Sequence, residues 1–442
     1  MTRIAKRLSS SQIIILGFAA LILIGCLLLM LPISTQDGNG AIFSDALFTA
    51  TSAVCVTGLI VQDTATYWST FGQAVIIALI QIGGMGIVTV AIAISAFSGK
   101  QISLKQRSTM QEAISAHKVG GIVRLTGFII KMTIVFELLG AVIMAPIFCR
   151  EFGLLKGIWY AVFHSVSAFC NAGFDLMGVK TPYSSFTYFV DNPVINFTIM
   201  LLIVIGGIGF MTWDDIKVNR HHIQKYRMQS KVILTTTALL ILFPAIYFFF
   251  FEFGSKPMDE RILSSLFQSI TPRTAGFNTA DLTRISEIGT AITIMLMLTG
   301  GSPGSTAGGM KTTTVAVLFS TAISVFRRRE HTQFFGRRVN NDAVRNAATI
   351  LMMYVILFLT GGFLISYIEG IPLFTCLYET ASAIGTVGLT LGITPALGTA
   401  SQLILIALMY IGRVGGLTLI FSALSGNQGN TARLPQEKIT VG

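Results

Sequence analysis

One short pattern recurs four times along this 442-residue chain, and few folds can accommodate it. The copies are Val56-Thr57-Gly58-Leu59, Asn171-Ala172-Gly173-Phe174, Thr274-Ala275-Gly276-Phe277 and Thr386-Val387-Gly388-Leu389. Each has a small or polar residue or two, then glycine, then a bulky apolar residue. The glycines stand 115, 103 and 112 residues apart, and repetition at a near-fixed period marks an architecture built from equivalent units. One such turn carries little meaning. Four in register with the same flanks need a common cause.

The flanks supply it. Eight apolar segments, residues 11–31, 69–97, 123–148, 194–213, 230–251, 285–326, 346–367 and 402–424, run near or beyond the roughly 20 residues that cross a bilayer. The chain is 52% hydrophobic and 12% charged, against about 25% charged in a soluble domain, and its mean hydropathy is +0.72. It reads as an all-α integral membrane protein. Between the members of each pair lies a shorter apolar run (42–52, 157–169, 261–269 and 373–384) of 9–13 residues, too short to span and long enough for a re-entrant half-helix. The order crossing, half-helix, Gly turn, crossing therefore repeats four times. This sets units at 1–98, 99–229, 230–329 and 330–425, with a tail at 426–442. The predicted architecture is eight transmembrane helices and four re-entrant half-helices around one central pore.

The second crossings repeat too. Gly83-Gly84-Met85-Gly86, Gly206-Gly207-Ile208-Gly209, Gly300-Gly301 and Gly412 to Gly416 begin 24–33 residues after their turn glycine, and small residues allow helices to pack closely in lipid. At the N-terminus, Arg3, Lys6 and Arg7 precede an apolar run that resembles a signal peptide. Because it continues past Cys26 to Leu31, an uncleaved first crossing is the reading adopted. The five cysteines show no ligand spacing and read as apolar fillers.

Charge fixes an orientation. With the N-terminus inside, the inner segments hold 21 Lys/Arg and 6 Asp/Glu, while the outer segments hold 7 Lys/Arg (Arg273 among them) and 12 Asp/Glu. The excess of Lys/Arg marks the cytoplasmic side, which puts both termini in the cytoplasm and the Gly turns toward the outside. The net charge of +11 is this signal, with contact to anionic lipid, and calls for no nucleic acid.

Non-helical backbone at membrane depth must be buried in protein or line a water-filled cavity. Glycine admits positive φ, and rings of backbone carbonyls can replace the hydration shell of a cation. Half-helix C-termini, the negative ends of their dipoles, favour a cation below them. No acidic ring accompanies the turns, which favours a K⁺-like ion over Ca²⁺ or Mg²⁺. The predicted ion-binding set is Val56, Thr57, Gly58, Asn171, Ala172, Gly173, Thr274, Ala275, Gly276, Thr386, Val387 and Gly388.

Three longer motifs sharpen this. Residues 163–174 (Phe163-His164-Ser165-Val166-Ser167-Ala168-Phe169-Cys170-Asn171-Ala172-Gly173-Phe174), Pro272-Arg273-Thr274-Ala275-Gly276-Phe277 and the stretch Gly300 to Gly309 resemble the Trk/Ktr/HKT superfamily of cation transporters, most closely its Ktr-type membrane subunit of bacterial potassium uptake. The resemblance covers essentially the whole chain. It implies four membrane–pore-loop–membrane repeats with one pore per subunit. It also implies a homodimer seated on a cytoplasmic ring of nucleotide-binding regulatory subunits, in the bacterial inner membrane. It places a selectivity filter at Gly58, Gly173, Gly276 and Gly388. Glycine at position 58 fits the K⁺-selective members, whereas serine there marks the more Na⁺-permeable plant branch.

Residues 299–311 interrupt the second crossing of the third unit, and on the sequence only that crossing is expected to break. Gly300, Gly301, Ser302, Pro303, Gly304, Ser305, Thr306, Ala307, Gly308 and Gly309 cannot continue a lipid-facing helix, since each Gly costs about 1 kcal/mol against Ala and Pro about 3. The spacing does not match a nucleotide P-loop. An intramembrane gating loop is expected, in line with the family. Arg413 interrupts the last crossing, and an intramembrane charge is by default a functional candidate. The family's matching Arg points into the pore beneath the filter, which is compatible with an Arg tied to carbonyls. Lys311 stands open between a gate contact and a snorkelling lysine. Lys131 and Glu137 read as structural, Glu379 as a hydrogen bond behind the filter, and His164 as a satisfied packing histidine.

The basic clusters Arg327-Arg328-Arg329 and Arg337-Arg338 serve as topology anchors or as a docking surface for an acidic partner. The short tail is expected to be ordered in the dimer, by the resemblance. The sequence offers no catalytic triad, metal constellation or nucleotide site, so no enzyme activity or cofactor is expected. K⁺, with Na⁺ as the alternative, is the transported ion, and regulation by ATP, ADP or a cyclic dinucleotide falls to the partner. The competing function is a Na⁺- or H⁺-coupled secondary transporter or symporter, which would use broken helices and buried carboxylates.

Overall fold

The computed structural model of the chain describes residues 9–97, 102, 104–113 and 121–415. Among the described residues, four helices are long and apolar enough to cross a bilayer: α1 (Ser10–Leu29), α6 (Ile122–Phe152), α10 (Met228–Tyr247, continued by a π-helical turn over Phe248–Glu252) and α14 (Asn341–Glu369). They open the four units. α1 starts on a capping box in which Ser9 and Gln12 satisfy each other's exposed backbone N–H groups.

The half-helices fall where the short apolar runs predict. They are α2 (Phe43–Cys55), α7 (Leu154–Phe169), α11 (Met258–Ile270) and α15 (Leu373–Gly385). The second helices of the units are α3 (Thr70–Met85), α8 (Pro193–Gly207), α12 (Glu287–Leu298) and α16 (Thr399–Val414). Packing is cyclic. Each half-helix lies against the first helix of its own unit, and α3 packs on α7, α8 on α11, α12 on α15 and α16 on α2. Every second helix thus supports the half-helix of the next unit, and the fourth returns to the first.

Three expectations are corrected here. The crossings at 69–97 and 194–213 are not single helices. α3 turns by 93° into α4 (Ile87–Phe97), and α8 turns by 95° into α9 (Phe210–Asn219). The third unit is therefore not alone in breaking, although its break is the long one: residues 299–311 separate α12 from α13 (Thr312–Phe326). The cause is a shared register. Gly86, Gly209 and Gly415 adopt φ of 85°, 92° and 89°, each three residues after Gly83, Gly206 or Gly412. The same count from Gly300 arrives at Pro303, whose ring holds φ negative. The third correction concerns Arg273. Counted with the external charges, it is 5% exposed, with Nη2 3.3 Å from the Thr237 hydroxyl.

Between α4 and α6 lies α5 (Leu104–Ala113), tied to α1 by a Ser11–Glu112 side-chain bond of 2.5 Å. A two-residue β-hairpin, β1 (Gln333–Phe334) with β2 (Arg337–Arg338), carries the second basic cluster between α13 and α14. Residues 98–101, 103 and 114–120 of the first inner loop, and 416–442 with Gly416 and the tail, lie outside the described residues.

Close approach between α6 and α7 depends on Gly157. A Cβ there would fall inside contact distance of the Phe148 and Cys149 backbone. Gly157→Val should therefore destabilise the fold by about 1–3 kcal/mol, the scale of overpacking a close contact. A thermal midpoint in detergent lower than wild type is the expected result, and an unchanged midpoint would contradict this packing.

Candidate functional site

Within four residues of its C-terminus each half-helix is followed by a residue of positive φ, and two places later by its glycine. Val56, Asn171, Thr274 and Thr386 hold φ of 58°, 58°, 66° and 51°, and Gly58, Gly173, Gly276 and Gly388 hold 92°, 71°, 82° and 93°. Positive φ favours glycine at the second position, and space requires it. A Cβ on Gly58 would stand under 3.0 Å from the Ala172 carbonyl oxygen, on Gly173 from that of Ala275, on Gly276 from that of Val387, and on Gly388 from that of Thr57. The contacts run from turn one to two, two to three, three to four and four to one. The turns close a ring in which the carbonyls of Thr57, Ala172, Ala275 and Val387 each abut the glycine of the preceding turn, the fourth turn preceding the first.

The bulky residue after each glycine anchors its turn: Leu59, Phe174, Phe277 and Leu389 are all at most 1% exposed. Phe277 stacks edge-on to Phe186, with ring centroids 5.5 Å apart. A hydroxyl braces each turn from the half-helix. Ser52 Oγ accepts from Gly58 N at 3.1 Å and Ser382 Oγ from Gly388 N at 3.0 Å, while Ser167 Oγ donates to Phe174 O at 2.7 Å and Thr271 to Phe277 O. Ser52, Ser167 and Ser382 all stand six residues before their glycine. In the third unit Ile270 holds that position and the hydroxyl moves on to Thr271.

A second brace stands nine residues before two of the glycines. His164 presents Nδ1 to the Tyr160 carbonyl at 2.7 Å and takes the Leu176 N–H on Nε2 at 2.9 Å, so it is the satisfied packing histidine expected. Glu379 binds the hydroxyls of Thr390 and Thr394, the latter at 3.0 Å, which is the expected bond behind the turn. The sequence reading missed the serines and the shared position of His164 and Glu379. Aligning the four units on their glycines would have exposed both.

Residues 299–311 lie directly against this ring. Gly300 N donates to Met310 O at 2.7 Å and Thr312 N to Gly301 O at 3.0 Å, pinching the two ends of the loop together. Ser302 N donates to Gly207 O at 2.9 Å and Phe210 N to Gly304 O at 2.7 Å, which ties the loop across the bend of the second unit, with Pro303 at its tip. The Ser305 hydroxyl donates to Ser302 O at 2.7 Å. Gly309 N donates to Gly412 O at 3.2 Å. A Cβ on Gly308 would run into the Thr386 side chain of the fourth turn. Thr306 reaches the second turn, with its hydroxyl 3.0 Å from Phe169 O and 3.3 Å from Asn171 Oδ1.

Two cations hold the loop. Lys311 Nζ donates to Ala307 O at 2.8 Å and Gly308 O at 3.3 Å, folding back on the loop it ends. Of the two readings left open for Lys311, the loop contact is the one observed. Arg413 occupies the place that Gly84, Gly207 and Gly301 hold in the other units. Its guanidinium donates to Thr306 O in the loop and to Gly83 O and Gly84 O in α3, the last at 3.1 Å. It thus ties the third unit to the first from the fourth. A cavity of about 270 Å³ opens beside them, lined by Gly86, Gly304, Met310, Lys311, Tyr354 and Arg413 and by none of the turn residues. Glu137 is 8% exposed, with a carboxyl oxygen 3.9 Å from Cys170 Sγ. Lys131 instead lines a groove that Ala93 and Thr126 also border.

Comparison with known proteins places the chain. The TrkH family, described as cation transport protein, matches residues 8–432. The potassium/sodium uptake protein NtpJ of Enterococcus hirae is 40% identical over all of this chain and 99% of its own length. The Ktr system potassium uptake protein B of Bacillus subtilis is 38% identical, over 99% of this chain and 97% of that one. Among solved structures, the potassium transporter TrkH from Vibrio parahaemolyticus shares the fold with a TM-score of 0.74 at 19% identity, covering 93% of this chain and 84% of that one. A whole-length family match and relatives this similar leave one assignment: the chain belongs to the TrkH family of cation transport proteins.

Proposed function

We propose that this chain is the potassium-conducting membrane subunit of a bacterial uptake system, with the four Gly turns as its selectivity filter and residues 299–311 as its gate. The observation that carries the reading is the closed ring of turns, each glycine set against the carbonyl of the next. A dehydrated cation on the ring axis takes backbone oxygens in place of water. Four half-helix C-termini lower the energy of a positive charge there. Lys311 and Arg413, both bonded to the loop, add a barrier that a cation does not pass while the loop is seated.

The proposed units are residues 1–98, 99–229, 230–329 and 330–425, with both termini cytoplasmic in the bacterial inner membrane. The subunit works as a homodimer on a cytoplasmic ring of nucleotide-binding regulatory subunits. The names of the Ktr system relatives support membership of a multi-part system, and the exposed basic hairpin Gln333–Arg338 offers a surface for it. No cofactor is required, because K⁺ is the cargo. A second reading, in which Na⁺ is also carried, is favoured by the name of the Enterococcus hirae relative.

Gly58→Ser tests the filter. Serine at φ 92° crowds the Ala172 carbonyl, so K⁺ over Na⁺ discrimination in proteoliposome flux should fall about tenfold, equivalent to about 1.4 kcal/mol. Equal selectivity in both proteins would contradict the filter assignment. For the gate, deletion of residues 304–308 should raise K⁺ flux roughly fivefold or more, the effect of removing about 1 kcal/mol of closure, and Arg413→Gln should raise it less. Unchanged or lower flux in a correctly inserted deletion protein would count against the gate. Rescue of a K⁺-uptake-deficient bacterium gives a first readout of both.

A further inference from the structure

The residues two places before the turn glycines are Val56, Asn171, Thr274 and Thr386. Of these four, Asn171 is the one whose side chain hydrogen-bonds the internal loop. Its Oδ1 accepts from the Thr306 hydroxyl at 3.3 Å, and its Nδ2 lies 3.4 Å from Thr274 Oγ1 and 3.5 Å from Arg273 O. One amide therefore joins the loop, the second turn and the third turn. The set is sealed: Asn171 is 1% exposed, Thr306 and Thr274 0%. On the other side Gly206 packs so closely that a Cβ would stand 2.8 Å from Asn171 Oδ1 and 2.9 Å from Thr306 Oγ1. Thr306 is engaged at every polar atom, through N to Gly206 O, through O to Arg413 and through Oγ1 to Phe169 O and Asn171.

Displacing the loop removes the partner of a buried Oδ1, and an unpaired buried acceptor is costly. The amide must then re-pair, which alters its bonds to the third turn. The converse holds as well. A smaller cation in the ring draws the Ala172 and Ala275 carbonyls inward, shifts turns two and three against each other, and so moves the amide that Thr306 binds. We propose that Asn171 is a positioning residue that couples ring occupancy to loop position, so that the seating of the loop depends on whether K⁺ or Na⁺ occupies the ring. By linkage, seating the loop changes the relative affinity of the ring for the two ions by the same factor. This inference rests on the reading of the turns as filter and of residues 299–311 as gate.

The test reads loop position directly. Ser305→Cys, in a protein with Cys149→Ser and its other, buried cysteines kept, is alkylated in proteoliposomes in K⁺ or in Na⁺. With Asn171 present, the two rates should differ by about fivefold, the weight of one neutral hydrogen bond. Asn171→Gly keeps the positive φ and removes the amide, and Thr306→Val removes only the hydroxyl. In each the two rates should become equal, while Thr306→Ser should restore the difference. Absence of an ion effect in the parent, or its survival in both Asn171→Gly and Thr306→Val, would overturn the proposal. If one variant fails to fold, the other decides. Failure of the gate reading shows separately, as a loop deletion that leaves flux unchanged.

Discussion

The fold depends on a contact between glycine and carbonyl that can only be made four at a time. Each turn glycine fills the space beside the carbonyl of the next turn, and the fourth turn returns to the first. No one turn is stable in this form alone: its left-handed residue and its glycine sit where most side chains are strained. Neighbours supply the constraint. The half-helix hydroxyls hold the turn from behind, the buried Leu or Phe anchors it, and the second helix of the preceding unit supports the half-helix. Local strain is tolerated because the ring determines it from every side.

The same logic repeats one layer further on. Gly83, Gly206 and Gly412 bring a second helix against the carbonyls of Val54, Phe169 and Ile384, in each case the carbonyl four residues before the turn glycine. Three residues later, at Gly86 and Gly209, the helix bends at a glycine with positive φ, and Gly415 has the same φ. The third unit departs from this at one residue, Pro303, which cannot take that dihedral. The chain there leaves the helical path for a loop instead. The fourth unit departs at another, Arg413, which replaces the second glycine of the motif and fills the gap with a cation. The two departures meet at the Thr306 carbonyl. Near-symmetric units thus produce a closed arrangement through two substitutions that fit each other.

Much of this was legible in the sequence. The four half-helices match their apolar runs closely, because 9–13 apolar residues between longer ones leave little choice, and α7 ends at Phe169 as the run does. The loop at 299–311 announced itself through glycines and a proline that no helix tolerates. What stayed hidden depended on dihedrals and register. Glycine doublets at 83–84 and 206–207 read as close packing, which they are, yet the bends come from the third glycine in each motif. Arg273 read as an external charge because it lies beside a turn. Only the three-dimensional course of α10, which carries Thr237, shows it buried. Asn171 stood in a motif without indicating that its amide faces two partners at once.

The central claim is that backbone carbonyls of the four turns hold a dehydrated potassium-like ion on one axis. Anomalous diffraction from crystals grown in Rb⁺, an ion of similar size that scatters strongly, tests it most directly. The account predicts an anomalous peak on the ring axis within coordination distance of the Thr57, Ala172, Ala275 and Val387 carbonyls. Occupied Rb⁺ sites elsewhere in the chain with none on that axis would contradict it.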